Sequence, residues 1–149
     1  MDIRDLDILK TIPDPFEKTP KIILDEIILN ECKRLQVAID TDPNLVKSSI
    51  RDNVNFIALY SSIADCESAY GNNRTPRYEP SYAGGGAYYK RSPVVRKLWT
   101  KYQAAAACSY SSFQILYVVA YELGFSLSPI HLSYDVFAIK KVTDLSEKN

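Results

Sequence analysis

The spacing of apolar and polar residues predicts a chain built mainly of helices. A first helix is expected from Lys21 to about Ile39, because apolar residues recur there at helical spacing and charges occupy the other side. Its apolar stripe consists of Ile23, Ile27, Cys32 and Leu35. Asp40-Thr41-Asp42-Pro43 ends this helix. Residues 1–19, which carry Pro13 and Pro15, are expected to be extended.

A second helix is predicted from about Asp52 to Ala69. Steps of four, three and four residues place Phe56, Tyr60, Ile63 and Glu67 on one face. Further apolar residues cover another side, which is typical of a central helix. Glu67 is therefore expected at the end of a buried helix, on an apolar stripe.

Turn-forming residues divide the second half of the chain. The stretch from Arg74 to Arg91 is rich in glycine and proline and is predicted to be a long loop or a small hairpin. Caps and helix stops predict the following elements: a third helix from Ser92-Pro93 to about Ala107, a fourth from Ser111 or Ser112 to Gly124, a short turn or helix at Ser128-Pro129, and a last helix from Asp135 to Leu145.

Composition limits the class of protein. The chain has 149 residues, of which 46% are hydrophobic and 24% charged, as in an ordinary globular domain. Apolar runs are too short for a membrane span, and the acidic N-terminus lacks an apolar export signal, so we expect synthesis in the cytoplasm and no membrane partner. Three cysteines without metal-ligand spacing are expected to be reduced and half-buried, with no metal and no cofactor.

Charge is balanced overall but divided unevenly. The formal net charge is zero, which argues against nucleic acid as the main partner. Between Arg74 and Lys101, seven basic residues accompany a single acidic one, Glu79. This stretch is either a solvated surface or a surface that meets an anionic polymer.

Glu67 is the first candidate for chemistry. A carboxyl group buried beside a tyrosine-rich loop would favour the protonated form, which a general acid for glycosidic cleavage needs. The alternative is a helix-terminal glutamate paired with Arg74 or Arg77. Eleven tyrosines, ten of them between Tyr60 and Tyr121, suit either a sugar site or the edges of a core. His131, the single histidine, is interpreted as structural.

Two segments resemble motifs of lytic transglycosylases and goose-type lysozymes. Ala58–Ser68, ALYSSIADCES, resembles the helix that ends in the catalytic Glu-Ser of those families. Cys108–Leu116, CSYSSFQIL, resembles their second motif, a turn of small residues before apolar residues and Gln. The stretch from Tyr117 to Ile139 resembles the segment after that motif in the same families, and Arg77–Pro80, RYEP, resembles an insertion of some phage muramidases.

The resemblance implies a fold and a function. It implies a mainly α, lysozyme-like helical domain over residues 51–149, with the tyrosine-rich loop or hairpin over a cleft, and an N-terminal extension with one helix over residues 1–50. It implies that Glu67 is the acid/base that cleaves peptidoglycan between N-acetylmuramic acid and N-acetylglucosamine, most readily as a lytic transglycosylase. The resemblance implies that Ser68, Glu79 and Gln114 contact the substrate, and the predicted substrate-binding residues also include Tyr78, Tyr110 and Ser112.

Departures from the families leave two alternatives open. The usual glycine of the second motif is replaced by serine, and the third motif, Ala-Tyr-Asn-x-Gly, is absent. One alternative is a hydrolytic muramidase in which Asp65 or Glu79 positions water. The other is a non-catalytic structural or glycan-binding protein of a virion, with other virion subunits as partners. A phage origin, with release to the cell wall or association with the virion, fits all three hypotheses.

Overall fold

The computed structural model describes residues 13–42, 44 and 55–148, which form helices and one small antiparallel sheet. The α-helices are α1 (Lys21–Thr41), α2 (Phe56–Ser68), α3 (Ala87–Arg91), α4 (Pro93–Tyr102), α5 (Tyr117–Glu122) and α6 (Asp135–Lys148). The strands are β1 (Arg77–Tyr78), β2 (Cys108–Tyr110) and β3 (Ile115–Leu116), and short 3₁₀ helices cover Pro80–Tyr82, Gln103–Ala107 and Pro129–Ser133. The expected mainly α class is confirmed. The predicted structure of residues 1–12, and the predicted start of the second helix at Asp52, lie outside the described residues.

Helix α1 forms as predicted but turns a different face to the core. Leu24, Ile28 and Leu35 are buried, whereas Ile23 is 45% exposed. The buried stripe also contains Glu31, which is hydrogen-bonded to Arg34 and to Thr143 of α6. A hydropathy pattern assigns such a carboxylate to the surface. The predicted buried stripe is therefore rotated around the helix axis relative to the stripe that the structure buries.

The first half of helix α1 belongs to the same core as the later helices. Leu24 and Ile28 share one cluster of buried side chains with Tyr60 of α2, Phe113 and Ile139 of α6. Helix α1 contacts both α2 and α6. The boundary proposed at residue 50 therefore separates α1 in sequence but not in packing.

Helix α2 begins and ends with clear local signals. The side chain of Asn55 accepts a hydrogen bond from the Ala58 amide at 3.1 Å, which caps the first turn. Tyr60, Ala64 and Ser68 are buried, but Ile57 is 47% exposed. The prediction that this helix is central is wrong, since one side faces solvent.

The predicted fourth helix is replaced at its start by a β-hairpin. Strand β2 pairs with β3, with Tyr110 opposite Ile115, and β1 pairs with the other edge of β2, with Arg77 opposite Ser109. The hairpin loop contains Ser111 at φ 78° and Gln114 at φ 50°, which a helix cannot contain. Strands of two and three residues are too short to show alternation in the sequence.

The other helix signals mark real boundaries. The Ser92 hydroxyl accepts from the Val95 amide at 3.3 Å and caps α4, which ends at Tyr102 and continues as a 3₁₀ helix to Ala107. Helix α5 ends just before Gly124, whose φ is 100°. Both the short helix after Ser128 and α6, starting at Asp135, are confirmed.

Candidate functional site

Two turns with left-handed backbone carry the candidate residues. After Glu67 and Ser68, the chain continues through Ala69 at φ 48°, Tyr70 at φ 55° and Gly71 at φ 82°. The second turn is the hairpin loop Ser111–Gln114. Four of the five non-glycine residues with positive φ in the described ranges lie in these two turns. Such conformations cost free energy and cluster at functional sites, so their position supports a site here.

Hydrogen bonds of Ser68 and the close packing of Gly71 fix the conformation of the first turn. The Ser68 hydroxyl donates to the Ala64 carbonyl at 2.9 Å and accepts from the Gly71 amide at 2.8 Å. Gly71 lies against the segment before α1, because a Cβ there would come within 2.9 Å of the Thr19 carbonyl oxygen. Helix α2 therefore ends sharply, with Glu67 at its last exposed position.

Strand β1 connects the two turns. One guanidinium nitrogen of Arg77 lies 2.8 Å from Glu67 Oε2, and another donates to the Glu67 carbonyl. From the other side, Gln114 Nε2 donates to the Ser111 carbonyl at 2.9 Å and reaches the Thr75 carbonyl at 3.4 Å. Glu67 and Gln114 are thus attached to the same short segment, residues 75–77.

The expected burial of Glu67 is wrong. Its side chain is 42% exposed, and that of Arg77 is 50% exposed. Of the two arginines considered as partners, Arg77 forms the ion pair. For Glu67 to donate a proton to a substrate, the Arg77 guanidinium must therefore move away, or it must bind one carboxylate oxygen while the other faces the substrate.

Glu79 lies on the same face of the sheet as Arg77. Its backbone is extended, with φ −115° and ψ 98°, and its amide donates to the Ala107 carbonyl at 2.7 Å, which continues the β1–β2 ladder. Side chains two residues apart on a strand share a face. Glu79 is exposed, and strand alternation places it on the face of β1 that carries Arg77, the partner of Glu67.

Tyr78 lies on the opposite face of the sheet from Arg77, because successive side chains of a strand alternate. It is 50% exposed, so it is accessible but separated from Glu67 by the strand. The predicted shared site of Tyr78 with Glu67 does not fit this geometry.

Three further predicted substrate contacts are buried. Ser68 is 2% exposed, Ser112 is fully buried and Tyr110 is 5% exposed. Burial raises the pKa of the Tyr110 hydroxyl, which donates to the Ala105 carbonyl at 2.6 Å. These residues hold the turns in place and do not reach a substrate, so their predicted role as contacts does not fit the structure.

A buried charged group supports the hairpin loop from below. Asp135, at the start of α6, accepts from the Ser112 amide at 2.8 Å, from the Ser112 hydroxyl at 2.6 Å and from the Thr19 hydroxyl at 2.7 Å. Arg74 lies 3.8 Å from Asp135 and donates to the carbonyls of Asp14, Glu17 and Ser133. Sequence reasoning did not find this pair, since nothing local marks Arg74 as buried.

One polar atom of the site has no partner. Gln114 Oε1 is buried without a hydrogen bond in the described part of the chain. An amide oxygen in this state can accept from an N–H group of a ligand, since an unsatisfied acceptor costs about 1–3 kcal/mol. The residue as a whole is partly exposed, but Oε1 itself is enclosed, so a ligand reaches this acceptor only after the Gln114 side chain turns.

Other candidate chemistry is not supported at the site. Within the described ranges, no three histidine, cysteine or acidic side chains converge as metal ligands, and no helix has the length and apolar character to cross a membrane. The three cysteines are free; Cys32 and Cys108 are half-buried as expected, but Cys66 is exposed. Burial raises the pKa of the Cys32 thiol to about 11, which removes it as a nucleophile near neutral pH.

Two cavities lie away from Glu67. One, of about 590 Å³, is bordered by Thr19, Asp65 and Tyr70. The other, of about 450 Å³, lies between the segment before α1 and the start of α6 and is bordered by Arg74 and Asp135. Asp65 thus opens toward a different surface from Glu67, which agrees with its position two residues earlier on the helix.

Comparison with known proteins gives no relative. No protein-family model matches the chain, and neither a curated protein nor a solved structure is significantly similar to it.

Proposed function

We propose that the protein cleaves the glycan strand of peptidoglycan, with Glu67 as the general acid/base. The observation that carries the proposal is the attachment of Glu67 and Gln114 to one segment, residues 75–77, beside the exposed Glu79. The helix that ends in Glu-Ser precedes along the chain the Gln-bearing turn between β2 and β3, and α5 follows that turn, which is the order of motifs that the resemblance to lytic transglycosylases implies.

The reaction requires one proton transfer at each stage. In a transglycosylase, Glu67 protonates the oxygen between N-acetylmuramic acid and N-acetylglucosamine, and that bond breaks. The resulting carboxylate then takes the proton of the muramic 6-hydroxyl as this oxygen attacks the anomeric carbon, which gives a 1,6-anhydro end.

Glu79 favours a second candidate, a hydrolytic muramidase. Retaining and inverting glycosidases use two carboxylates that border the scissile bond. Strand alternation places Glu79 on the face of β1 that carries Arg77, the partner of Glu67, whereas Asp65 borders a cavity away from this pair. In this candidate Glu79 orients water, and the product carries a reducing end.

Digestion of purified peptidoglycan, with mass analysis of the released fragments, tests the proposal. We expect Glu67→Gln to reduce fragment release by about 10²–10⁴-fold, because Gln keeps the shape but cannot donate the proton. Asp65→Asn, on the same helix and facing another surface, is the matched control and should retain activity. Thermal unfolding of each variant monitors folding.

Glu79→Gln separates the two reactions. If the wild type releases fragments with 1,6-anhydro ends and Glu79→Gln keeps this activity, the reaction is transglycosylation. If the wild type releases fragments with reducing ends and Glu79→Gln loses this activity, the reaction is hydrolysis. If folded wild type releases nothing, catalysis by the isolated chain is refuted. The ion pair of Glu67 with Arg77 would then favour a structural or glycan-binding role in a virion.

A further inference from the structure

Five basic side chains lie on two adjacent helices, α3 and α4. This α3–α4 basic surface consists of Lys90, Arg91, Arg96, Lys97 and Lys101. Within the described ranges none of the five forms an ion pair with a carboxylate, whereas Arg74 and Arg77 both do. The acidic residues between positions 71 and 134 are Glu79 and Glu122, so the region keeps an excess of positive charge.

Hydrogen bonds from Arg96 join the two helices. The Arg96 guanidinium donates to the carbonyls of Tyr89 at 2.9 Å and Lys90 at 3.2 Å, which closes the last turn of α3 against α4. Val95 and Leu98 bury the inner side of α4, so Lys97 and Lys101, four residues apart, share its outer side. The spacing of the cations is therefore set by the fold.

Tyrosines orient these cations. Arg91 lies 4.9 Å from the ring centroid of Tyr88, and Lys101 lies 5.2 Å from that of Tyr102. Lys97 lies 5.6 Å from the Tyr121 ring and donates to its hydroxyl at 3.1 Å. Cations held in place by such contacts lose less conformational entropy when they bind an anion than freely moving side chains do.

We propose that the α3–α4 basic surface binds a polyol phosphate polymer of the cell wall and keeps the enzyme on its substrate. The five cations are distributed along two consecutive helices, from Lys90 to Lys101, and such a distribution suits an extended ligand. Arginine and lysine are the side chains that bind phosphate oxygens best. The identity of the polymer rests on the proposed function.

Nucleic acid fits this surface less well. Proteins that bind single strands offer free aromatic faces on which bases stack. Here Tyr88 is stacked on Tyr82 at 4.4 Å between ring centroids, and Arg91 covers it too. The net charge of the chain is also zero, unlike that of a typical nucleic-acid-binding domain.

Co-sedimentation with cell-wall sacculi tests the inference. The protein carries Glu67→Gln, so that cleavage does not dissolve the sacculi. One batch keeps its phosphate polymer, and a second batch is stripped of it with hydrofluoric acid, which cleaves phosphodiesters. We expect affinity for the first batch to fall about tenfold or more between ~50 and ~200 mM salt, and affinity for the stripped batch to be at least about tenfold weaker.

Matched triple variants locate the surface. Lys90→Gln, Lys97→Gln and Lys101→Gln together should weaken binding and lower the slope of log affinity against log salt by about 2–3. The control, Lys18→Gln, Lys21→Gln and Lys33→Gln, removes the same charge from exposed positions on and before α1 and should bind as the parent does.

Three results would overturn the inference: equal binding to stripped sacculi, equal losses in the two triple variants, or tighter binding of an oligothymidylate than of the wall polymer. Binding is measured without cleavage, so the two proposals fail separately. Wall binding without glycan cleavage refutes the proposed reaction alone. Cleavage without polymer-dependent binding refutes the surface alone.

Discussion

Replacing Arg74 or Arg77 by Gln compares one chemical change in two environments, three residues apart. Arg74 is buried, with 9% of its side chain exposed, and Arg77 is half-exposed. Arg74 donates to three carbonyls and lies beside Asp135, whose side chain is 2% exposed. We expect Arg74→Gln to unfold the protein far more readily than Arg77→Gln.

The expected magnitudes depend on these contacts. Removing one partner of a buried ion pair costs about 3–5 kcal/mol, because the remaining charge is left buried. The retained hydrogen bonds of Asp135 to Ser112 and Thr19 keep the loss at Arg74 within this range. An exposed pair such as Arg77 with Glu67 contributes about 0–1 kcal/mol. For a chain of this length 1 kcal/mol corresponds to about 2–4 °C in Tm.

Thermal and urea unfolding monitored by circular dichroism measure the difference. Arg74→Gln should lower Tm by about 10 °C, and Arg77→Gln by less than about 4 °C. Arg74 also ties the segment around Asp14 to α6, so limited proteolysis of Arg74→Gln should cut that segment first. Equal losses in the two variants, or a loss below about 1.5 kcal/mol at Arg74, would refute the reasoning.

Three further outcomes are expected. Ala69→Gly should raise stability by about 0.5–1 kcal/mol in urea titrations, because exposed Ala69 is left-handed, at φ 48° and ψ 49°; no gain would contradict this. Thr143→Val should cost about 1–3 kcal/mol in the same titration, since its hydroxyl bonds both buried Glu31 and Tyr60, and a neutral result would contradict it. Burial raises the pKa of Tyr60, Tyr110 and Tyr117. Their contribution to the free energy of unfolding is therefore complete below about pH 10. It falls above this pH, because the tyrosines of the unfolded chain ionise first. Absorbance at alkaline pH should therefore show these tyrosines ionising only as the dichroism is lost, and ionisation with the fold intact would disprove the assignment.

Helix boundaries could be predicted where a local signal exists. Ser92-Pro93 and Ser128-Pro129 mark helix starts because the serine precedes a proline whose φ already suits a helix. Gly124 marks a stop because it adopts a positive φ without strain. The hairpin was missed because its left-handed turn uses Ser111 and Gln114, neither of which is a glycine.

The candidate site was only partly predictable. Glu67 and Gln114 could be singled out from their neighbours in sequence; the Glu67 side chain is 42% exposed, whereas the amide oxygen of Gln114 is buried. Burial of Ser68, Tyr110 and Ser112 could not be predicted, because small polar residues are buried only when distant groups satisfy their hydrogen bonds.

The sequence by itself determined the mainly helical class and the position of Glu67-Ser68 at the end of a helix, because caps, stops and periodicity act over a few residues. Only the tertiary structure decided that Arg77 pairs with Glu67 while Arg74 is buried beside Asp135. It also decided that Glu31 faces the core, where Thr143, 112 residues away, completes its hydrogen bonds. Such choices depend on which distant groups meet after folding, since a buried charge is tolerated only where partners compensate its lost hydration.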